Sequence, residues 1–230
     1  VRGGISGGTY GSINNLLKEA YSNKKIFRVL NNPYGLNPKN KMEGMDKKEL
    51  RKIIFDKESN SWIYPFIMAG INTKIVRRSH ALTNFQYGKD FRYEEAMMSG
   101  KGISGLLKAI LAVFPLAMIG LNPNSLLKKI VNSYMPKPGE GPGPEKRKNG
   151  FYNLRFYVTI DERRKAFAKV VGDNDPGYGS TSKMLAESAL CLAFDKLPEN
   201  CGVVTPSIAM GKQLLERLRN NAGLDFKISI

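Results

Sequence analysis

Ile13, Leu16, Leu17, Ala20 and Tyr21 recur at i, i+3, i+4, i+7 and i+8, the spacing that gathers side chains on one face of an α-helix. The glycine-rich stretch Gly3-Gly4-Ile5-Ser6-Gly7-Gly8 reads as a turn leading into it. Asn31 to Asp46, rich in Asn, Pro, Gly and Lys, reads as a surface loop. Trp62 to Leu82 starts extended and turns helical after Pro65, and Phe85 to Met97 reads as strand-like around Phe91-Arg92-Tyr93. Ile103 to Leu121 is strongly apolar, Asn122-Pro123-Asn124 interrupts it, and Ser125 to Tyr134 follows as a short helix. Residues 103–134 are thus an apolar helical pair, and residues 135–150 a solvated loop dense in Pro, Gly and charge.

Beyond that loop the period changes. Tyr152, Leu154, Phe156, Val158 and Ile160 alternate with mostly polar residues, and Ala166, Ala168 and Val170 do the same after Asp161-Glu162. A period of two marks strands, so residues 151–160 and 165–171 predict an antiparallel hairpin. Met184, Leu185, Ala189, Leu192 and Ala193 make the apolar face of one terminal helix. Thr205-Pro206 opens the next as N-cap and first helical residue, Met210, Leu214 and Leu218 line it, and Gly223 stops it. Helices and strands without regular βαβ alternation predict an α+β fold: a mixed, mostly antiparallel sheet with helices on one face.

The 230 residues, 42% hydrophobic and 24% charged, support a sizeable core and exclude a wholly disordered chain. Thirty-six Lys and Arg against 20 Asp and Glu leave a net charge of +16, which favours anionic partners. No zinc-finger spacing, RNP-like strand or basic recognition helix accompanies it, so nucleic acid is a minor reading. One histidine, His80, and two cysteines, Cys191 and Cys201, leave no basis for a metal site or a disulfide framework. The uncharged run within 103–121 is too short to cross ~30 Å of hydrocarbon. It suits a core or interface helix, or a shallow attachment helped by Lys101, Lys108, Lys128 and Lys129. The opening Val1-Arg2-Gly3-Gly4 carries neither an initiator Met nor a signal-peptide pattern and reads as a start in mid-domain.

Candidate chemistry is thin. Ser6, Gly7, Gly8 and Thr9 fit no standard phosphate loop, so a tight turn stands beside close backbone approach to a ligand. Gly177-x-Gly179-x-x-Ser182, after Asp175, nearly copies a dinucleotide fingerprint but ends in Ser and follows a hairpin strand. Arg77-Arg78-Ser79-His80 is either a solvated basic face or an Arg clamp for a carboxylate or phosphate.

Six stretches taken together resemble the saccharopine dehydrogenase-like oxidoreductases, in the branch that includes the trans-acting enoyl reductases of lipid assembly. They are Ser6-Gly7-Gly8-Thr9-Tyr10-Gly11-Ser12; Pro65 to Ala69 continuing through Asn72 to Val76-Arg77-Arg78-Ser79; Tyr87 to Glu95; Pro136 to Pro142; Asp175 to Gly179 with Lys183-Met184; and Thr205-Pro206. The resemblance implies the carboxyl-terminal, substrate-facing and oligomer-forming part of an NADP- or NAD-linked oxidoreductase of lipid or glycolipid metabolism. Its nucleotide would be bound mainly by a Rossmann domain missing from this chain, against which the terminal helices would pack. Residues 1–230 would be inactive alone, homodimeric and cytoplasmic, peripheral to a membrane or lipid surface. Candidate proton donors are Tyr178, Tyr87 and His80. Candidate substrate- or cofactor-facing residues are Ser6, Gly7, Gly8, Thr9, Arg78, Asp175 and Gly177. The alternative is a non-catalytic, lipid-associated interaction domain. Met184, Leu192, Met210 and Leu218 are expected to be poorly covered by the chain itself.

Overall fold

The computed structural model describes residues 6–119, 125–137, 139–161 and 164–229. The chain divides into two compact units, one formed by the amino-terminal residues to Ser12 with Met135 onward, the other by Ile13–Tyr134. The architecture is α+β, in two separate three-stranded antiparallel sheets instead of one mixed sheet.

Helix α1 (Gly7–Ser22) begins inside the glycine-rich stretch, so Gly7 and Gly8 are helical residues and not a turn before the helix. The other part of the expected turn, residues 3–5, lies outside the described residues. Ser6 caps the helix: its Oγ accepts from the Thr9 amide at 3.1 Å and lies 2.8 Å from Thr9 Oγ1.

In the Ile13–Tyr134 unit, α2 (Lys24–Asn31) is capped by Asn23, whose side chain accepts from the Lys25 amide. A 3₁₀ turn at Lys39–Lys41 interrupts the loop that follows. Strands β1 (Ile54–Asp56), β2 (Ser61–Pro65) and β3 (Ala96–Gly100) pair in that order. Helix α3 (Ala69–Leu82) follows β2 as the sequence predicts, because Pro65 ends the strand. The strand expected around Phe91-Arg92-Tyr93 is absent; those residues have no regular secondary structure. The Tyr93 amide donates 2.9 Å to the Asp46 carboxylate, so a side chain takes the bond a neighbouring strand would have taken. Helix α4 (Gly102–Ile119) contacts β2 and β3, and α5 (Leu126–Tyr134) contacts α4. The break expected at Asn122-Pro123-Asn124 lies outside the described residues.

In the other unit, α6 (Pro144–Lys148) is a short helix within the expected 135–150 loop. The predicted hairpin is present as β4 (Tyr152–Thr159) and β5 (Lys165–Gly172), paired from Tyr152↔Gly172 to Thr159↔Lys165. Helix α7 (Gly179–Phe194) is followed by α8 (Pro206–Ala209) and α9 (Gly211–Asn221), so a break at Met210 divides the single helix expected after Thr205. Thr205 occupies the N-cap, its hydroxyl 3.2 Å from Ser207 Oγ. Beyond Gly223 the chain continues as β6 (Leu224–Ser229), which completes the sheet against β5. Cys191, Met210 and Leu214 form the core between α7 and α9, with Leu197, Ala209 and Leu218 packed on it. Met210 is only 4% exposed, contrary to the expectation of a bare face there, because it packs with Cys191 and Leu214 within the chain; Leu192 at 59% is exposed as expected.

Candidate functional site

The candidate residues fall into two groups, one in each unit. Ser6, Gly7, Gly8, Thr9, Asp175, Gly177 and Tyr178 belong to the first. Three stretches converge there: the start of α1, the residues Lys137, Glu140 and Gly141, and the turn before α7. The Gly7 amide donates to the Glu140 carbonyl at 2.9 Å, and a Cβ on Gly7 would overlap the Lys137 carbonyl. Only glycine permits that approach. The Tyr178 ring lies against Gly141, where any Cβ would overlap it, and its hydroxyl reaches the Glu140 carbonyl at 3.3 Å. That bond is long and solvent-facing, which leaves the phenol available to another acceptor.

Asp175 is fully buried and organises the turn. Its Oδ2 accepts from the amides of Gly177 at 2.8 Å and Tyr178 at 2.9 Å, and its Oδ1 from Gly179 at 3.0 Å. An anionic side chain thus takes the orphan amides at the start of a helix and complements its dipole. Tyr152 Oη lies 2.8 Å from Ser180 Oγ and ties the first turn of α7 to the sheet.

Arg78, His80 and Tyr87 lie in the second group. Arg78 Nη1 donates to the Leu36 carbonyl. His80 is buried, and its Nε2 lies 2.9 Å from the Gly88 carbonyl. A carbonyl only accepts, so Nε2 carries the proton. Nδ1 has no protein partner. The ring is stacked on Tyr87 at 5.4 Å and tilted against Phe91 at 4.7 Å, with Phe85 edge-on at 5.3 Å. Tyr87 itself is exposed.

Beside this cluster stands a buried ionic network that sequence reasoning missed. Arg77 Nε donates to Asp46 Oδ2 at 2.9 Å, Nη2 to the Tyr93 carbonyl at 3.0 Å and Nη1 to Thr73 Oγ1 at 3.2 Å. Asp46 also accepts from Tyr34 Oη at 2.9 Å. Burial lowers the pKa of Lys74, opposed by Glu49 at 3.6 Å. Burial alone would raise Glu49, but its own backbone amide, Lys74, Thr73 and Arg77 outweigh it and hold the carboxyl below its ordinary value. Glu95 shifts the other way: burial raises it, against hydrogen bonds from Asn72 and Tyr93. Arg77 therefore grips the protein's own carboxylate. Its helical spacing from Thr73 and Lys74 could have signalled the cluster, but Asp46, Glu49 and Tyr93 approach from distant sequence.

Among the described residues no cluster of His, Cys, Asp and Glu is arranged to hold a metal ion. Among the described residues, the start of α1 and the turn before α7 do not fit a dinucleotide pyrophosphate either. That group needs backbone amides pointing outward, whereas those of Gly7, Thr9, Gly177, Tyr178 and Gly179 are bonded within the chain.

No protein-family model matches the chain, and no solved structure matches it. Curated relatives do. A Mycobacterium tuberculosis protein provisionally named a trans-acting enoyl reductase is 38% identical over 234 residues, 94% of this chain and 55% of the relative. Proteins named trans-acting enoyl reductase from Mycobacterium bovis and Mycobacterium ulcerans are 34% and 32% identical, each over 93% of this chain and 54% of their own length. The chain spans about half the length of the curated relatives it matches, and over nearly all of its own length it is a homologue of proteins named trans-acting enoyl reductase.

Proposed function

We propose that this chain is the substrate-facing part of an oxidoreductase that reduces the carbon–carbon double bond of an enoyl thioester in lipid or glycolipid assembly, within a saccharopine dehydrogenase-like architecture. The observation that carries this reading is the similarity over 94% of the chain to a protein named for that activity. NADP is the proposed reductant. Because the amides of Gly7, Thr9, Gly177, Tyr178 and Gly179 are already bonded within the chain, the nucleotide is assigned to a part of the enzyme other than these residues. Reduction of an enoyl group needs a hydride at one carbon and a proton at the other. Only the proton falls to the residues described. Tyr178 supplies it from its phenolic oxygen, which is restored by solvent. The ring is fixed against Gly141 and its backbone by Asp175, so the hydroxyl needs little reorganisation to reach an acceptor. The active enzyme is proposed to be a homodimer.

The test is NADPH oxidation with a 2-enoyl thioester, followed by absorbance, using the protein in the longest form its source produces and, separately, residues 1–230 alone. Turnover by the longer form, with neither NADPH binding nor turnover by the shorter, is the expected result. Tight NADPH binding by residues 1–230 would overturn the assignment of the nucleotide, and no enoyl reduction by either form would overturn the function.

A further inference from the structure

We propose that α4 and α5 form a surface that attaches to an anionic lipid bilayer, lying in its headgroup layer without crossing it. Helix α4 buries Gly105 and Ala109 on one side. Its other side presents Ile103, Leu107, Ile110, Leu111 and Phe114, all exposed, at i, i+4, i+7, i+8 and i+11. That spacing makes one continuous stripe along the helix. On α5 the exposed residues Leu126, Leu127, Ile130 and Tyr134 make a second stripe, and the two helices are in contact. The chain leaves both stripes in water although Ile103 is 78% and Phe114 69% exposed. Single exposed apolar residues need no explanation, but a contiguous patch of this kind marks an interaction surface.

Charge selects the occupant. From Lys101 to Tyr134 the sequence contains no Asp or Glu. Lys108 and Lys129 are exposed on the same two helices and Lys101 just before α4, whereas Lys128, expected to help the attachment, is buried. Protein interface cores are depleted of lysine, whereas a bilayer interface favours apolar stripes flanked by lysines whose stems lie along the apolar surface and whose ammonium groups reach lipid phosphate. Tyr134 has the amphipathic ring that settles at headgroup depth. No helix among the described residues is long and apolar enough to cross a membrane, which agrees with in-plane attachment. The inference stands independently of the enoyl-reductase reading.

The experiment is flotation of the full chain with vesicles of phosphatidylcholine alone and of phosphatidylcholine mixed with phosphatidylglycerol, at low and high salt. Binding should be at least about tenfold stronger to the mixed vesicles and should weaken with salt, since the exposed lysines interact with lipid phosphate over about a Debye length. Leu107→Glu with Phe114→Glu should lower partitioning by about tenfold or more. Both positions are exposed, so the fold should persist, as unchanged Trp62 fluorescence would show. Lys101→Glu with Lys108→Glu should remove the preference for anionic lipid. No flotation, or equal flotation of wild type and the Leu107/Phe114 variant, would overturn the proposal. So would sedimentation showing these residues holding two copies together with no vesicle binding.

Discussion

Asp175→Ala should unfold the start of α7 and displace Tyr178. The carboxylate is fully buried and accepts three amides at 2.8, 2.9 and 3.0 Å. A hydrogen bond to a charged group contributes about 1.5–3 kcal/mol, and loss of an N-cap costs about 1 kcal/mol. Shared geometry makes the three bonds less than additive, so the expected loss is about 3–5 kcal/mol. Asp175→Asn keeps one accepting oxygen but turns an NH₂ toward an amide, and should cost about half as much. Trp62, the only tryptophan, lies in the other unit and would not report the change. Cys191 does: its thiol is buried beside Met210 and Leu214, and burial raises its pKa, whereas Cys201 is exposed. In a Cys201→Ser background, alkylation of Cys191 across a urea series reads the opening of this unit. The order should be wild type, Asn, then Ala. An Ala variant within about 1 kcal/mol of wild type would refute the view that this carboxylate holds the turn.

Two further predictions concern the buried network of the other unit. Arg77→Met leaves the Asp46 carboxylate without its cation and should cost about 3–5 kcal/mol by Trp62 fluorescence, with Asp46→Asn restoring part of it. Restoration would be absent if Arg77 acted only by packing. Glu49 has a folded pKa below its ordinary 4.5, so its contribution is present above that value and lost as pH falls through the lower folded value. The stability gap between wild type and Glu49→Gln should therefore close between neutral and strongly acidic pH; a constant gap would contradict the ionic role.

What was legible in the sequence was local. Pro65 ending a strand, the period-two hairpin of β4 and β5, and the Thr205-Pro206 helix start all follow from neighbouring residues. Helix α2 has a helical spacing of apolar residues, Ile26, Val29 and Leu30, that sequence reading could have found, although none of its residues is buried. Strand β6 was hidden behind Gly223, whose φ of +70° ends a helix but also starts the approach to β5. At Tyr93 a strand-forming composition lost to a long-range bond that its amide donates to Asp46. The candidate chemistry suffered in the same way. Gly177 and Gly179 share the glycine spacing of a nucleotide loop, and only the position of the Asp175 carboxylate shows that their amides are already taken.

The central claim is that this chain contributes the proton donor of an enoyl reduction through Tyr178. Its most direct test is steady-state NADPH-dependent reduction of a 2-enoyl thioester by the longest natural form of the protein, wild type against Tyr178→Phe, with Tyr87→Phe as control. Positioned acids contribute about 10²–10⁴-fold. The account predicts a fall in kcat of about a hundredfold or more for Tyr178→Phe with KM little changed, and near wild-type rates for Tyr87→Phe. A Tyr178→Phe enzyme as fast as wild type would contradict it.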